Sequence, residues 1–241
     1  MKIYVVKDYD EASRGAARII ADQIKEKKDS VLGLATGSSP LGIYEILVEK
    51  CGKGEISFKD ISTVNLDEYK GLNAIDKNSY HYYMNENLFS KVDINPSNIY
   101  LPDGMALDVE QECKRYEETI ESVGGIDLQL LGLGENGHIG FNEPGTPFTE
   151  KTHVVDLTES TIQANSRLFE KIEDVPRQAL SMGIQTIMNA KKILLIATGE
   201  KKADALAKVV NGKVTEEVPG SVLQKHPDVT IICDEAAAAK L

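Results

Sequence analysis

Four short stretches hold residue types that could do chemistry. "LGLGENGHIGFNEPG" (131–145) sets Asn136, His138, Asn142 and Glu143 among glycines. "NLDEY" (65–69) places Asp67 beside Glu68, and "ATGSSP" (35–40) offers the hydroxyls of Thr36, Ser38 and Ser39 around Gly37. "ATGEKKADAL" (197–206) carries Lys201 and Lys202. An imidazole exchanges protons near neutral pH, and Glu143 lies within reach of His138 across an irregular turn. A carboxylate just past a strand can be partly desolvated, which raises its pKa and suits it to proton abstraction. Composition alone does not choose between Asp67 and Glu68.

The two Ala-Thr-Gly stretches suit an anion. In the first, Pro40 fits the opening position of a helix and Ser39 its N-cap, so exposed N–H groups would face a phosphate. The Gly-Lys-Ser/Thr ending of a Walker loop is absent. In the second, the lysines fall in the first turn of a helix. There the macrodipole opposes cations by a few tenths of a kcal/mol to about 1 kcal/mol, a cost that a bound phosphate reverses. Arg167 in "TIQANSRLF" is a further candidate cation.

Gly132, Gly134 and Gly137 also spell G-x-G-x-x-G, the spacing of a dinucleotide-binding turn. That fingerprint must open a helix. "HIGFNEPGTPFTEKT" (138–152) follows instead, and its glycines and prolines deny a regular helix. Asp156 lies near the offset of a ribose-binding acid, but no helix separates it from the glycines. The stretch therefore reads as a loop crowded with catalytic residue types, in which glycine lets the backbone turn sharply and approach a ligand.

These stretches need elements to position them. Strands are predicted at 2–6, 30–35, 61–66, 126–134, 191–198 and 229–233, with a short one at 152–157. Helices are predicted at 11–27, 40–51, 79–90, 108–124 and 200–212. Strands alternating with helices argue for a mainly parallel sheet covered on both faces. In such sheets ligands bind beyond the carboxyl ends of the strands, and all four stretches sit there. No linker or composition break divides the 241 residues, which read as a single domain, 1–241.

Composition bounds the partners. The chain is 41% hydrophobic and 27% charged, with net charge −11. An acidic balance disfavours nucleic acid, which requires a basic face. No apolar run approaches a membrane span, and the N-terminus lacks a signal-peptide pattern. The three cysteines, Cys51, Cys113 and Cys233, have no metal-ligand spacing and read as reduced thiols of a cytoplasmic protein.

At this point the residues resemble a known family. "LATGSSPLGIYEIL", "NLDEYKGL", "SYHYYMNENLF", "LGLGENGHIGFNEPG", "QANSRLF" and "ATGEKKADAL" are similar to glucosamine-6-phosphate deaminases of the isomerising type. The matches run in family order from about residue 30 to 233. The resemblance implies a Rossmann-like three-layer α/β/α fold with an open, mainly parallel sheet. It implies conversion of D-glucosamine 6-phosphate and water to D-fructose 6-phosphate and ammonia, with neither metal nor organic cofactor.

By position, Asp67 matches the base that moves the C2 proton. His138 matches the residue that opens the pyranose ring, and Glu143 its acidic partner. Asn136 stands where family members often have aspartate; it cannot carry a negative charge but can orient His138. Thr36, Gly37, Ser38, Ser39, Arg167 and Lys202 match the phosphate-contacting positions. The resemblance also implies a lid within 144–180. The chain stops soon after "IICDEAAAAKL", and "TEKTHVV", with His153 and Val155, replaces the basic allosteric-site residues of regulated members. A short, unregulated form, favoured as a monomer, is the expectation. Two other readings share the fold: 6-phosphogluconolactonase, which follows its Gly-His with small residues rather than "GFNEPG", and a sugar-phosphate-sensing regulator. The latter requires a helix-turn-helix for which this chain leaves no room.

Overall fold

The structure, a computed structural model, describes residues 1–166, 169 and 171–241. Seven parallel strands form the main sheet: β1 (Lys2–Val6), β2 (Val31–Leu34), β3 (Ser62–Asn65), β5 (Ile99–Tyr100), β6 (Leu128–Gly132), β9 (Lys192–Ala197) and β10 (Val229–Asp234). Their order is β1-β10-β9-β6-β2-β3-β5. The central runs "VLGL", "LLG" and "ILLIA" are almost wholly buried. Continuous apolar runs suit strands covered on both faces, so helices must flank the sheet on each side. The fold is Rossmann-like, with three layers and a mainly parallel sheet, as expected.

α1 (Tyr9–Glu26) shows how the sequence dictates a flanking helix. Asp8 accepts a hydrogen bond from the Glu11 N–H at its start. Ala12, Ala16, Ile20 and Ile24 recur at helical spacing and are all buried. α2 (Leu41–Gly52), α3 (Tyr80–Asn87), α4 (Val109–Ser122) and α7 (Ala203–Asn211) fall where the periodicity predicts them.

One start differs in detail. Pro40, not Ser39, occupies the N-cap of α2, and no side chain of the capping residue bonds the first turn. Instead the Tyr9 hydroxyl accepts from the Gly42 N–H at 2.9 Å and donates to the Ser38 carbonyl at 3.1 Å. A distant phenol thus does the work assigned to Ser39.

A second sheet goes unforeseen as a sheet, although the short strand expected at 152–157 is one of its members. β4 (Asp67–Tyr69), β7 (His153–Asp156) and β8 (Gln178–Ser181) form an antiparallel sheet in the order β4-β8-β7. Its small core holds Tyr69, Phe141, Val155, Leu157 and Ile162. Short helices α5 (Glu159–Asn165) and α6 (Ile184–Met188) attend it. β4 begins two residues after β3 ends, so Leu66 is the single step at which the chain leaves one sheet for the other.

The amino edge of the main sheet is fastened by Asp127. Its carboxylate accepts from the Val31 N–H at 2.8 Å and pairs with Lys191 at 2.7 Å and Lys27 at 3.0 Å.

Candidate active site

A cleft of about 540 Å³ opens at the carboxyl edge of the main sheet, within the size range of small-molecule sites. Residues following β2, β3, β6 and β9 line it, so all four chemistry-bearing stretches meet there. Thr36, Gly37, Ser38, Ser39, Asp67, Asn136, His138 and Lys202 are on its wall. Glu143 sits one residue behind, against Asn136. Arg167 lies outside the described residues.

At one end the chain turns from β2 into α2. Gly37 has φ +93°, a conformation that L side chains rarely adopt. Its carbonyl accepts from the Tyr83 hydroxyl at 2.6 Å, while the next carbonyl accepts from Tyr9. Two tyrosines thereby hold the carbonyls of this turn. The parallel turn after β9 repeats the positive φ, with Gly199 at +90°. Residues Glu200–Lys202 form a 3-10 turn rather than the first α turn, and Lys202 becomes the N-cap of α7. Lys202 is partly buried in the cleft wall, whereas Lys201 is exposed. Burial holds the Lys202 ammonium below the ordinary lysine range, against the opposing charge of Glu135.

The structure separates the two adjacent carboxylates. Glu68 is buried and turned away from the cleft wall. It accepts from the N–H groups of Tyr69 at 2.8 Å, Tyr80 at 2.9 Å and His81 at 2.9 Å, and it lies 2.8 Å from His81 Nδ1. It therefore staples the first turn of α3 to β4, satisfying two donors that a helix start leaves orphaned. Asp67 lines the cleft and is 6% exposed. Burial, with the neighbouring Glu68 charge, pushes its carboxyl up to about 8. Tyr80, which sequence reasoning did not single out, forms the adjacent wall and stacks on Phe141 at 6.2 Å. The "SYHYY" stretch holds that signal only as an aromatic cluster.

The third part is a chain of three side chains. Asn136 Nδ2 donates to Glu143 Oε2 at 2.6 Å, and Asn136 Oδ1 lies 2.7 Å from His138 Nδ1. His138 Nδ1 is 3.6 Å from Glu143, too far for a good hydrogen bond, so Asn136 joins them. Because the amide nitrogen must face the carboxylate, its oxygen faces the ring. That oxygen can only accept, so His138 carries a proton on Nδ1 and keeps the Nε2 lone pair when neutral. Glu143 accepts a further bond from Thr161 at 2.8 Å. Burial opposes its ionisation, yet His138, Thr161 and Asn136 together carry its pKa down to about 2.

The glycines serve this chain and no nucleotide. A Cβ at Gly134 would fall 2.3 Å from the His138 ring, so the imidazole lies directly on that backbone. Gly137, with φ +89°, closes a turn in which its N–H donates to the Gly134 carbonyl at 3.0 Å. Among the described residues after β6, no helix begins until Glu159. Among the described residues, no group of His, Cys, Asp and Glu could hold a metal ion, and no helix is long and apolar enough to cross a membrane.

Fold and cleft together define a class: a Rossmann-like α/β protein with its ligand cleft at the carboxyl edge of a parallel sheet. The chain belongs to the family described as glucosamine-6-phosphate isomerases/6-phosphogluconolactonase, whose model matches residues 8–232. It is 56% identical over 241 residues to a protein of Clostridioides difficile named glucosamine-6-phosphate deaminase, covering all of this chain and 97% of that one. A Bacillus subtilis protein named glucosamine-6-phosphate deaminase 1 is 52% identical over 99% of both chains. A solved structure described as a monomeric glucosamine-6-phosphate deaminase is 52% identical, with TM-score 0.98 over both full chains. A 6-phosphogluconolactonase from Trypanosoma brucei shares the fold at 18% identity, TM-score 0.81, over all of this chain and 98% of that one.

Proposed function

We propose that this chain is a glucosamine-6-phosphate deaminase, converting D-glucosamine 6-phosphate and water to D-fructose 6-phosphate and ammonia. One observation carries the mechanism. A buried, proton-retentive carboxyl and an imidazole with a fixed tautomer face one cleft, with an anion-suited turn at its end.

The Thr36–Ser39 turn and Lys202 take the phosphate, with Arg167 as a further cation. Anchoring the far end converts the remaining steps into positioned, effectively unimolecular ones. His138 Nε2 accepts the O1 hydroxyl proton and returns a proton to the ring oxygen, opening the pyranose. The charge of Glu143, transmitted through Asn136, stabilises the imidazolium formed between those transfers. Asp67, ionised, removes the C2 hydrogen made acidic by the aldehyde and delivers it to C1, while a proton of the C2 ammonium passes to O1. The resulting C2 iminium adds water, the C2–N bond breaks, and ammonia leaves. One water is consumed, so the reaction is a hydrolytic deamination coupled to an aldose–ketose isomerisation.

The small core around Tyr69 and Phe141 supports a lid within 144–180 that rests on the cleft wall. The similarity to a deaminase described as monomeric, and the "TEKTHVV" stretch, support an unregulated monomer, and the free thiols of Cys51, Cys113 and Cys233 support a cytoplasmic setting. The test is ammonia and fructose 6-phosphate release from glucosamine 6-phosphate, with and without N-acetylglucosamine 6-phosphate. Hydrolysis of 6-phosphogluconolactone without ammonia release would overturn the activity. Sigmoidal kinetics relieved by the N-acetylated compound would overturn the absence of regulation.

A further inference from the structure

The Asp234 carboxylate lies at the end of β10, and no cation pairs with it among the described residues. It is 8% exposed. Both of its oxygens approach the Gly199 N–H, at 3.0 and 2.9 Å, and Oδ1 also accepts from the Ala237 N–H at 2.8 Å. A buried carboxylate without a counter-charge depends on these backbone donors to hold it in place. Gly199 opens the 3-10 turn that follows β9 and is held at φ +90°, ψ 149°. Its own carbonyl accepts from the Lys202 N–H at 3.0 Å. Two hydrogen bonds in series therefore connect Asp234 to the backbone of the one lysine that the turn delivers into the cleft.

We propose that Asp234 is a positioning residue for phosphate recognition. It clamps the Gly199 peptide so that Lys202 enters the cleft at a fixed place. This rests on the reading of Lys202 as a phosphate ligand. Charge and geometry make opposite predictions here. A carboxylate near the phosphate end repels the ligand, so removing its charge would tighten phosphate binding if electrostatics were all that mattered. Removing the clamp loosens binding if position matters.

The test uses inorganic phosphate as a competitive inhibitor of the intact enzyme, beside KM and kcat for glucosamine 6-phosphate. Asp234→Asn should raise both the phosphate Ki and KM by about tenfold, the scale of one charge-assisted hydrogen bond. Saturated kcat should stay within about twofold. If the Asn variant does not fold, Asp234→Glu takes its place: it keeps the charge but moves the carboxylate from the Gly199 N–H, so Ki and KM should again rise, and unchanged values would overturn the clamp. Lys202→Ala tests the underlying reading. If it weakens phosphate binding while Asp234→Asn leaves Ki unchanged or lowers it, the clamp is wrong and the reading stands. If Lys202→Ala leaves phosphate affinity unchanged, both fall. A lowered melting temperature with unchanged Ki would mark Asp234 as structural only.

Discussion

Asp67→Asn is the most informative single substitution, because it separates proton affinity from chemistry. Asparagine is nearly isosteric with a protonated carboxyl and cannot act as a base. Turnover should vanish while phosphosugar binding survives. The second consequence concerns stability. The Asp67 carboxyl rises from 3.8 to about 8 on folding, so between these values the native state holds a proton that the unfolded chain releases. The unfolded state then binds fewer protons, and stability falls as pH rises through that window. The span is about four pH units, which at 1.36 kcal/mol per unit gives at most on the order of 5 kcal/mol above pH 8. The variant pays none of this. Unfolding is the better assay, since the substrate's phosphate and amine titrate in the same range, whereas unfolding involves the protein alone. Urea midpoints of both proteins at pH 5, 7 and 9 should diverge steadily, with the variant more stable at pH 9. A difference that does not change with pH would refute the buried, proton-retentive carboxyl.

Three further outcomes follow from the site. Asn136→Asp sets a second carboxylate against Glu143, where the amide now donates at 2.6 Å. One of the pair must take up a proton, so the variant should lose about 1–3 kcal/mol at pH 8 and regain it on acidification; a pH-independent difference would count against the bridge. Gly134→Ala drives a methyl into the His138 ring, and kcat should fall by about a hundredfold through misplacement of the imidazole; wild-type kcat would refute that packing. Glu68→Gln turns an amide NH2 against backbone donors and should cost roughly 2–4 kcal/mol in chemical denaturation, which a wild-type midpoint would contradict.

Six strands of the main sheet were legible because they are short apolar runs separated by amphipathic helices, signals that are local in sequence. The edge strand β5, only two residues long, carries no such signal and was missed. The echo of "LATGSSP" in "LLIATGEKK" likewise marked two turns that do share φ near +90° at Gly37 and Gly199. Of the small sheet only β7 was legible, as the short strand expected at 152–157. The sheet itself was not, because β4 and β8 hold three and four residues and pair across more than a hundred, so no local period betrays them. The same non-locality explains the details that were missed. Ser39 has the right side chain for a cap, but Tyr9 reaches Gly42 from 33 residues away. Asp67 and Glu68 are equivalent in composition. Only the N–H groups of Tyr80 and His81, 12 and 13 residues downstream, occupy one and leave the other to the cleft.

The carboxyl edge carries the cleft, and the amino edge carries the Asp127 fastening between Val31, Lys27 and Lys191. This polarity gives the molecule a front and a back. The turns at Gly54 and at Gly124–Gly125, which follow α2 and α4 and precede β3 and β6, lie on the back and have open space around them. A linker or dye attached there would hold the molecule with its cleft facing solution. Immobilised this way, it should work as it does when free, whereas attachment through the turns at Gly37 or Gly199 would press the working face against the support.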